Sequence, residues 1–187
     1  REEKWKTQCK DQILKEHYEN FIEDSFELNL GIRNSILVEL TTSLFDKVSL
    51  SISGDLVAVF YDNYSPIFKD SKLSHMDEYA SLVKGIKETY YKQLSSKENE
   101  IIKLLTPVEF DVFRICRSLA QYSGGHDQFP NFFLSCQCLA KRIGKEPKTA
   151  FRLMKRFQGM GILKVQKKGS KRIKGKKGKA TIWMWNL

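Results

Sequence analysis

Acidic residues all but vanish from the end of this chain. Between Ser135 and Leu187 only Glu146 carries a carboxylate side chain, against sixteen lysines and arginines. A segment so one-sided excludes a self-paired, neutral surface and implies a partner rich in negative charge. Long apolar runs are missing too. None approaches the roughly 20 residues of a membrane-crossing helix, which predicts a soluble, cytoplasmic protein with no membrane partner. The chain opens at Arg1 on a polar, charged segment without the apolar core of a signal peptide, so it is expected to be a piece of a longer protein.

Paired cysteines and catalytic constellations are also lacking. Cys9 and Cys116 stand alone, Cys136 and Cys138 form a Cys-x-Cys without a second pair, and His126 has no companion. Structural zinc needs four ligands at recognisable spacing, usually two close pairs, so no metal is expected and the thiols read as reduced and largely buried. There is no phosphate-binding Gly-x-x-x-x-Gly-Lys-Ser/Thr, because Gly175-Lys176-Lys177 lacks the upstream glycine. Asp70 and Asp77 are not a close pair, Asp55 and Asp62 stand alone, and Glu23-Asp24 sits in a charged segment. His17, His75 and His126 have no nucleophile at a telling spacing. These gaps predict no cofactor and no enzyme activity within the chain; a catalytic centre, if the protein has one, is expected outside it.

What the chain does have is segregated charge. Residues 1 to 100 hold thirteen Lys and Arg against eighteen Asp and Glu; residues 101 to 187 hold nineteen against four. One part is thus suited to phosphates and the other to something else. A hydrophobic content of 41% with 12% aromatics is that of a folded protein, and 187 residues suit two small domains.

Hydrophobic spacing sketches the organisation. Residues 1 to 30 read as a leading or linker helix, with Trp5, Ile13, Tyr18, Phe21 and Ile22 recurring among charges. Residues 31 to 103 read as a helical domain. Its first helix, over 34 to 47, carries Ile36, Leu37, Leu40, Leu44 and Phe45 on one stripe. A second is expected after Ser53-Gly54-Asp55, carrying Leu56, Val57, Val59 and Phe60 and ending near Ser65-Pro66. A third is expected to be capped by Ser74, with Asp77 opposite, and to run through Tyr79, Leu82, Val83 and Ile86 to Tyr90 and Tyr91. Residues 95 to 100 are either a hinge or the start of the next helix.

The Gly31-Ile32-Arg33-Asn34 turn, the Leu-rich helix after it, Phe60 with Asn63 and Pro66, and the closing Val83-x-x-Ile86-x-x-Thr89-Tyr90 resemble the small helical domain near the C-terminus of plasmid and phage primase-polymerases. The resemblance covers about residues 31 to 91 and its motifs are short. It implies upstream primase or helicase domains of the same protein as partners, a nucleotidyl-transfer centre upstream of Arg1, and a candidate site at Arg33 and Asn34. The residues alone read Arg33-Asn34 equally as a helix cap beside an exposed arginine.

Residues 104 to 187 read as a second domain. Thr106-Pro107-Val108-Glu109 is a helix start, with Thr as N-cap, Pro at the first position and Glu at the third, followed by a stripe of Val108, Val112, Ile115, Cys116 and Leu119. A turn-rich connection over 122 to 130 leads to Phe132-Phe133-Leu134, a short strand. Ser135 then caps a helix with Leu139, Ala140 and Ile143, Gly144 breaks it, and Glu146-Pro147-Lys148 starts another with Ala150, Leu153, Met154 and Phe157. Two helices crossing steeply need a small residue at closest approach, here Ala140, and one tolerant of positive φ in the turn, here Gly144. This is the helix-turn-helix spacing. After Gly161 come a strand around Ile162 to Gln166, a stretch rich in Gly and Lys, and the strand from Ala180 to Trp185, written as the two arms of a hairpin wing. The segment from first helix to last strand resembles winged-helix domains, a family with many replication initiators and transcription regulators. The expected fold class is therefore mainly α, an N-terminal helical domain plus a C-terminal winged-helix domain with a small β-hairpin wing.

Removing the core positions from the second helix of the pair leaves Lys148, Thr149, Arg152, Lys155 and Arg156, joined by Lys145 in the turn. In helix-turn-helix readers the N-terminal part of this helix enters the major groove while flanking residues grip phosphates. Lys148, Thr149 and Arg152 are thus the candidates for base edges, and Lys145, Lys155 and Arg156 for the backbone. The wing adds Lys167, Lys168, Lys171, Arg172, Lys174, Lys176, Lys177 and Lys179 as phosphate contacts. Phe151 departs from the pattern, standing where a small polar residue is usual, and is expected to be covered by Phe132 or Phe133. Trp183 and Trp185 share one strand face, and Ile182 and Met184 the other; either the first helix of the domain or the N-terminal domain covers an apolar face, or it serves a partner or stacks single-stranded DNA.

The expectation is a DNA-binding segment of a replication protein from a plasmid, phage or other mobile element, with DNA as partner. Two rivals remain: a winged-helix transcriptional or copy-number regulator whose helical half dimerises, and a protein-docking module that leaves DNA alone.

Overall fold

A computed structural model describes residues 33–64, 70–123, 131–170 and 180–187. The expected leading helix, Gly31-Ile32, the Ser65-Pro66 stop, most of the 122 to 130 connection and residues 171 to 179 lie outside the described residues. Within them the chain is mainly helical, with seven helices and one small three-stranded antiparallel sheet.

The first three helices, α1 (Arg33–Phe45), α2 (Leu50–Tyr64) and α3 (Lys72–Lys92), pack through Leu37, Leu44, Ile52, Val57, Phe60 and Tyr79. Two of their starts differ from expectation. Helix α2 begins at Leu50 and runs through Gly54, because the Ser49 hydroxyl accepts from the Ile52 amide at 3.3 Å and the apolar face continues back to Ile52. The helix passes close to α3 there, the Tyr79 ring lying 3.5 Å from where a Gly54 Cβ would be, and it continues through the glycine despite the ~1 kcal/mol that a helical glycine costs. Helix α3 is capped by Ser71, not Ser74: the Ser71 hydroxyl accepts from the Ser74 amide at 3.2 Å. The extra turn is tied down by Lys72, whose ammonium sits 2.6 Å from the Asp62 carboxylate on α2.

Residues 95 to 100 start a helix, α4 (Ser96–Ile102). Ser95 and Glu98 form a reciprocal capping box, and the second Glu98 oxygen accepts from buried Arg117 at 2.8 Å. Thr106 and Glu109 open α5 (Pro107–Ser123) in the same manner, the Glu109 carboxylate accepting from the Thr106 amide at 2.9 Å. Val112, Ile115 and Cys116 are buried as expected, and Phe113 is too, so α5 is enclosed nearly all round from 111 to 118.

The remaining elements wrap α5. They are β1 (Asn131–Phe133), α6 (Cys136–Ile143), α7 (Pro147–Gly159), β2 (Leu163–Lys167) and β3 (Ile182–Trp185). Strand β3 lies in the middle of the sheet, antiparallel to both neighbours, with Trp183 opposite Phe132 and Val165, and Trp185 opposite Leu163. Both tryptophans point into the core. The Trp183 indole donates to the Leu134 carbonyl at 3.2 Å, and the Trp185 ring meets Phe113 edge-on with centroids 5.0 Å apart. Their face is thus covered by the first helix of this half and is not a platform for single-stranded DNA.

The cluster around α5 also takes in Phe45 from α1 and Tyr90 from α3. Arg114, wholly buried, lies at the seam. Its Nη2 donates to the Val48 carbonyl at 2.9 Å and to Asp111 at 2.7 Å, and its guanidinium stands 4.3 Å from the centre of the Phe45 ring. Asp111 also accepts from the Leu50 amide at 3.3 Å, and the Ser49 amide donates to the Arg142 carbonyl at 2.8 Å, so the α1–α2 turn is bonded to both α5 and α6.

Candidate nucleic-acid interface

The local chemistry of residues 135 to 160 sets the geometry of the candidate site. The Ser135 hydroxyl accepts from the Cys138 amide at 3.1 Å and starts α6; Gly144, at φ 63° and ψ 34°, ends it in the left-handed region that favours glycine. The Lys145 amide returns to the Ala140 carbonyl at 3.0 Å and closes the turn. Pro147 at the first helical position then starts α7, whose N-cap Glu146 makes no side-chain capping bond. Ala140 and Ala150 are fully buried, letting the two helices approach closely, while Met154 and Phe157 anchor α7 in the core and Leu153 is half-buried.

With those positions inward, the outer stripe of α7 is fixed. Lys148, Phe151, Arg152 and Lys155 recur at i, i+3, i+4 and i+7 and are all exposed. Thr149 and Lys145 sit half-buried at its edge. Phe151 is 52% exposed, which corrects the expectation that Phe132 or Phe133 covers it: Phe132 is spent in the core and Phe133 itself points outward. Alternation along β1 sends the two phenylalanines to opposite faces of the sheet, so they cannot both turn towards α7. Lys155 donates to Gln158 at 3.1 Å. Arg156 is more constrained: its Nε lies 2.7 Å from the buried Glu109 carboxylate on α5, while the side chain remains 55% exposed. It pins α7 to α5 and keeps part of its guanidinium at the surface.

The hairpin supplies further cations. Gly161, at φ 74°, turns the chain into β2, and Asn186 fastens this corner by donating to the Gly161 carbonyl at 2.7 Å. Lys167 and Lys168 are exposed, and a register shift between Val165 and Lys167 bends the strand there. Lys164, absent from the expected set, is exposed too, opposite Met184 on the sheet face away from the tryptophans. Its alternation with the apolar Leu163 and Val165 was the signal that would have found it. Lys171, Arg172, Lys174, Lys176, Lys177 and Lys179 lie outside the described residues. Comparisons with protein-family models, curated proteins and solved structures find no match.

Elsewhere the expected features do not converge. Asn34 is exposed near the start of α1, and the Arg33 side chain lies outside the described residues. A groove of about 570 Å³ between α1 and α3 is lined by Phe45, Leu82, Ile86 and Tyr90, with Asp46 and Glu78 along it. Burial pushes the Asp46 carboxyl above its ordinary range and the Tyr90 phenol likewise. Carboxylates there suit no phosphate. Among the described residues no three His, Cys, Asp or Glu side chains gather as metal ligands, and no helix is long and apolar enough to cross a membrane.

Proposed function

We propose that residues 104 to 187 form a winged-helix domain that grips duplex DNA, within a replication protein of a plasmid, phage or other mobile element. The observation that carries this reading is the outer stripe of α7: cations at Lys148, Arg152 and Lys155 on a helix whose opposite face is locked into the core, followed by a hairpin bearing Lys164, Lys167 and Lys168. A helix held from behind and charged in front suits insertion into a groove lined by phosphates. In this mechanism Lys148, Thr149 and Arg152 reach base edges from the N-terminal part of α7, while Lys145, Lys155, Arg156 and the hairpin lysines hold the backbone. The wing residues 171 to 179 add to that grip. The replication context rests on the resemblance of residues 31 to 91 to the helical domain of primase-polymerases, which assigns upstream primase or helicase domains as partners and gives the chain a positioning role.

Counterion release provides the test. Each phosphate contact lowers the slope of log affinity against log salt by about 0.9, so about five contacts give a slope near −4 to −5 for a duplex. A flat salt dependence excludes the reading. Replacing Arg152 by Ala is expected to cost about 1–3 kcal/mol at a preferred site, as for loss of one base-edge contact, and Lys148→Ala to weaken binding in the same direction.

A further inference from the structure

Helix α7 carries one exposed side chain that phosphate gripping does not explain. Phe151 sits in the middle of the outer stripe, joins neither buried cluster, and has the Lys155 ammonium 6.0 Å from its ring centre. Lys148 lies one turn before it and Lys155 one turn after, with Arg152 adjacent. A polyanion drawn onto those three cations therefore brings its own surface against the ring. Leaving a phenylalanine half in water is unfavourable, so the arrangement suits a partner that offers something apolar between its phosphates.

The major groove of duplex DNA offers one such group. Its edges present hydrogen-bond donors and acceptors at every pair, and the 5-methyl of thymine is the apolar feature among them. Resting on the reading of residues 104 to 187 as a duplex-DNA reader, we infer that Phe151 is a specificity-determining residue that packs on thymine methyls in the major groove. The flanking Lys155 holds the backbone beside the ring, and Lys148 and Arg152, one turn before it and adjacent to it, take neighbouring base edges. The helix would thereby favour thymine-bearing steps without a hydrogen bond from Phe151 to any base.

Two duplexes isolate the methyl group. Alternating poly(dA-dT) and poly(dA-dU) carry the same backbone charge and the same hydrogen-bonding edges in both grooves, and differ in the 5-methyl alone. The full chain is expected to bind the thymine duplex about 3- to 4-fold more tightly for each methyl covered. Phe151→Ala abolishes that preference while the salt slope, set by the lysines and arginines, persists; Phe151→Leu retains most of it. Phe151 lies outside the core, so the melting temperature of both variants should match that of the parent chain. Equal binding of the two duplexes by the parent chain, or a preference that survives in Phe151→Ala, overturns the inference and leaves DNA binding standing. Absence of salt-dependent binding to either duplex overturns the DNA reading and the inference together.

Discussion

Arg114 heads the side chains wholly removed from solvent, and it is charged. Taking a guanidinium out of water is tolerable only where its hydrogen bonds and charge are met, and here Asp111, the Val48 carbonyl and the face of Phe45 share that task. Its Nε and Nη1 have no hydrogen-bond partner among the described residues, and the guanidinium there lies over the Phe45 ring. Arg114→Ala strands the Asp111 carboxylate and is expected to lower the urea midpoint of the helical signal by the equivalent of about 3–5 kcal/mol. Replacing both residues by apolar side chains, Arg114→Met with Asp111→Leu, should recover part of the loss, because no charge is left alone. Cys116, a turn away from Asp111 and beyond, behaves oppositely: it is a titratable group kept neutral. Burial pushes its thiol up to about 12 from an ordinary 9.0. An unfolded thiol ionises above pH 9 while the folded one does not, so stability from this site is complete below pH 9 and falls as pH rises from 9 towards 12. The thiolate is the reactive form. Mass-spectrometric mapping after iodoacetamide at pH 8 should therefore find the exposed Cys138 labelled in the native chain and Cys116 labelled only in denaturant.

At the scale of elements, the best-read parts are those whose determinants are local. The start of α5 at Thr106 and Glu109, the Ser135 cap and the left-handed Gly144 each depend on residues within a few positions of one another, and each stands where expected. Gly144 gives a direct test. At φ 63° a Cβ crowds the following carbonyl at roughly 1–2 kcal/mol, so Gly144→Ala should lower unfolding free energy by about that much and Gly144→Asn by less. The starts of α2 and α3 differ from expectation because each stretch offers more than one serine cap and tertiary contacts favour the earlier one: Ser49 and Leu50 are bonded to Arg142 and Asp111, and Lys72 behind the Ser71 cap reaches Asp62 ten residues earlier. The candidate site divides the same way. Periodicity alone placed Lys148, Arg152 and Lys155 outward, since the inward set Ala150, Met154 and Phe157 is unambiguous. It could not show that Arg156 is held by Glu109, 47 positions back along the chain but 2.7 Å away, nor that Phe151 would find no cover.

At the scale of the whole molecule, charge and packing run in different directions. The acidic first hundred residues and the basic remainder look separable in sequence, yet Phe45 and Tyr90 from the first lie in one buried cluster with Phe110 and Phe113 from the second. Hydrogen bonds among the described residues reinforce the seam: Arg114 to Val48, Leu50 to Asp111, Ser49 to Arg142, Arg142 to the Lys47 carbonyl at 3.4 Å, and Arg117 to both Glu98 and the Gln93 carbonyl. Severing the halves would expose two aromatic rings and leave Arg114 facing an empty site, so neither half unfolds without a cost to the other. Thermal unfolding is accordingly expected to be one transition. Far-UV circular dichroism follows helices from both halves, whereas in a Trp5→Phe variant the tryptophan emission comes from Trp183 and Trp185 alone, on β3 against α5. The two signals should change together in the parent background. In Arg114→Ala they should separate, with the helical signal starting to fall before the tryptophans are exposed, since α1 to α3 lose the guanidinium that joins Val48 and Phe45 to α5 while the sheet keeps its own contacts. Separate transitions already in the parent would mean that the seam is too weak to couple the halves.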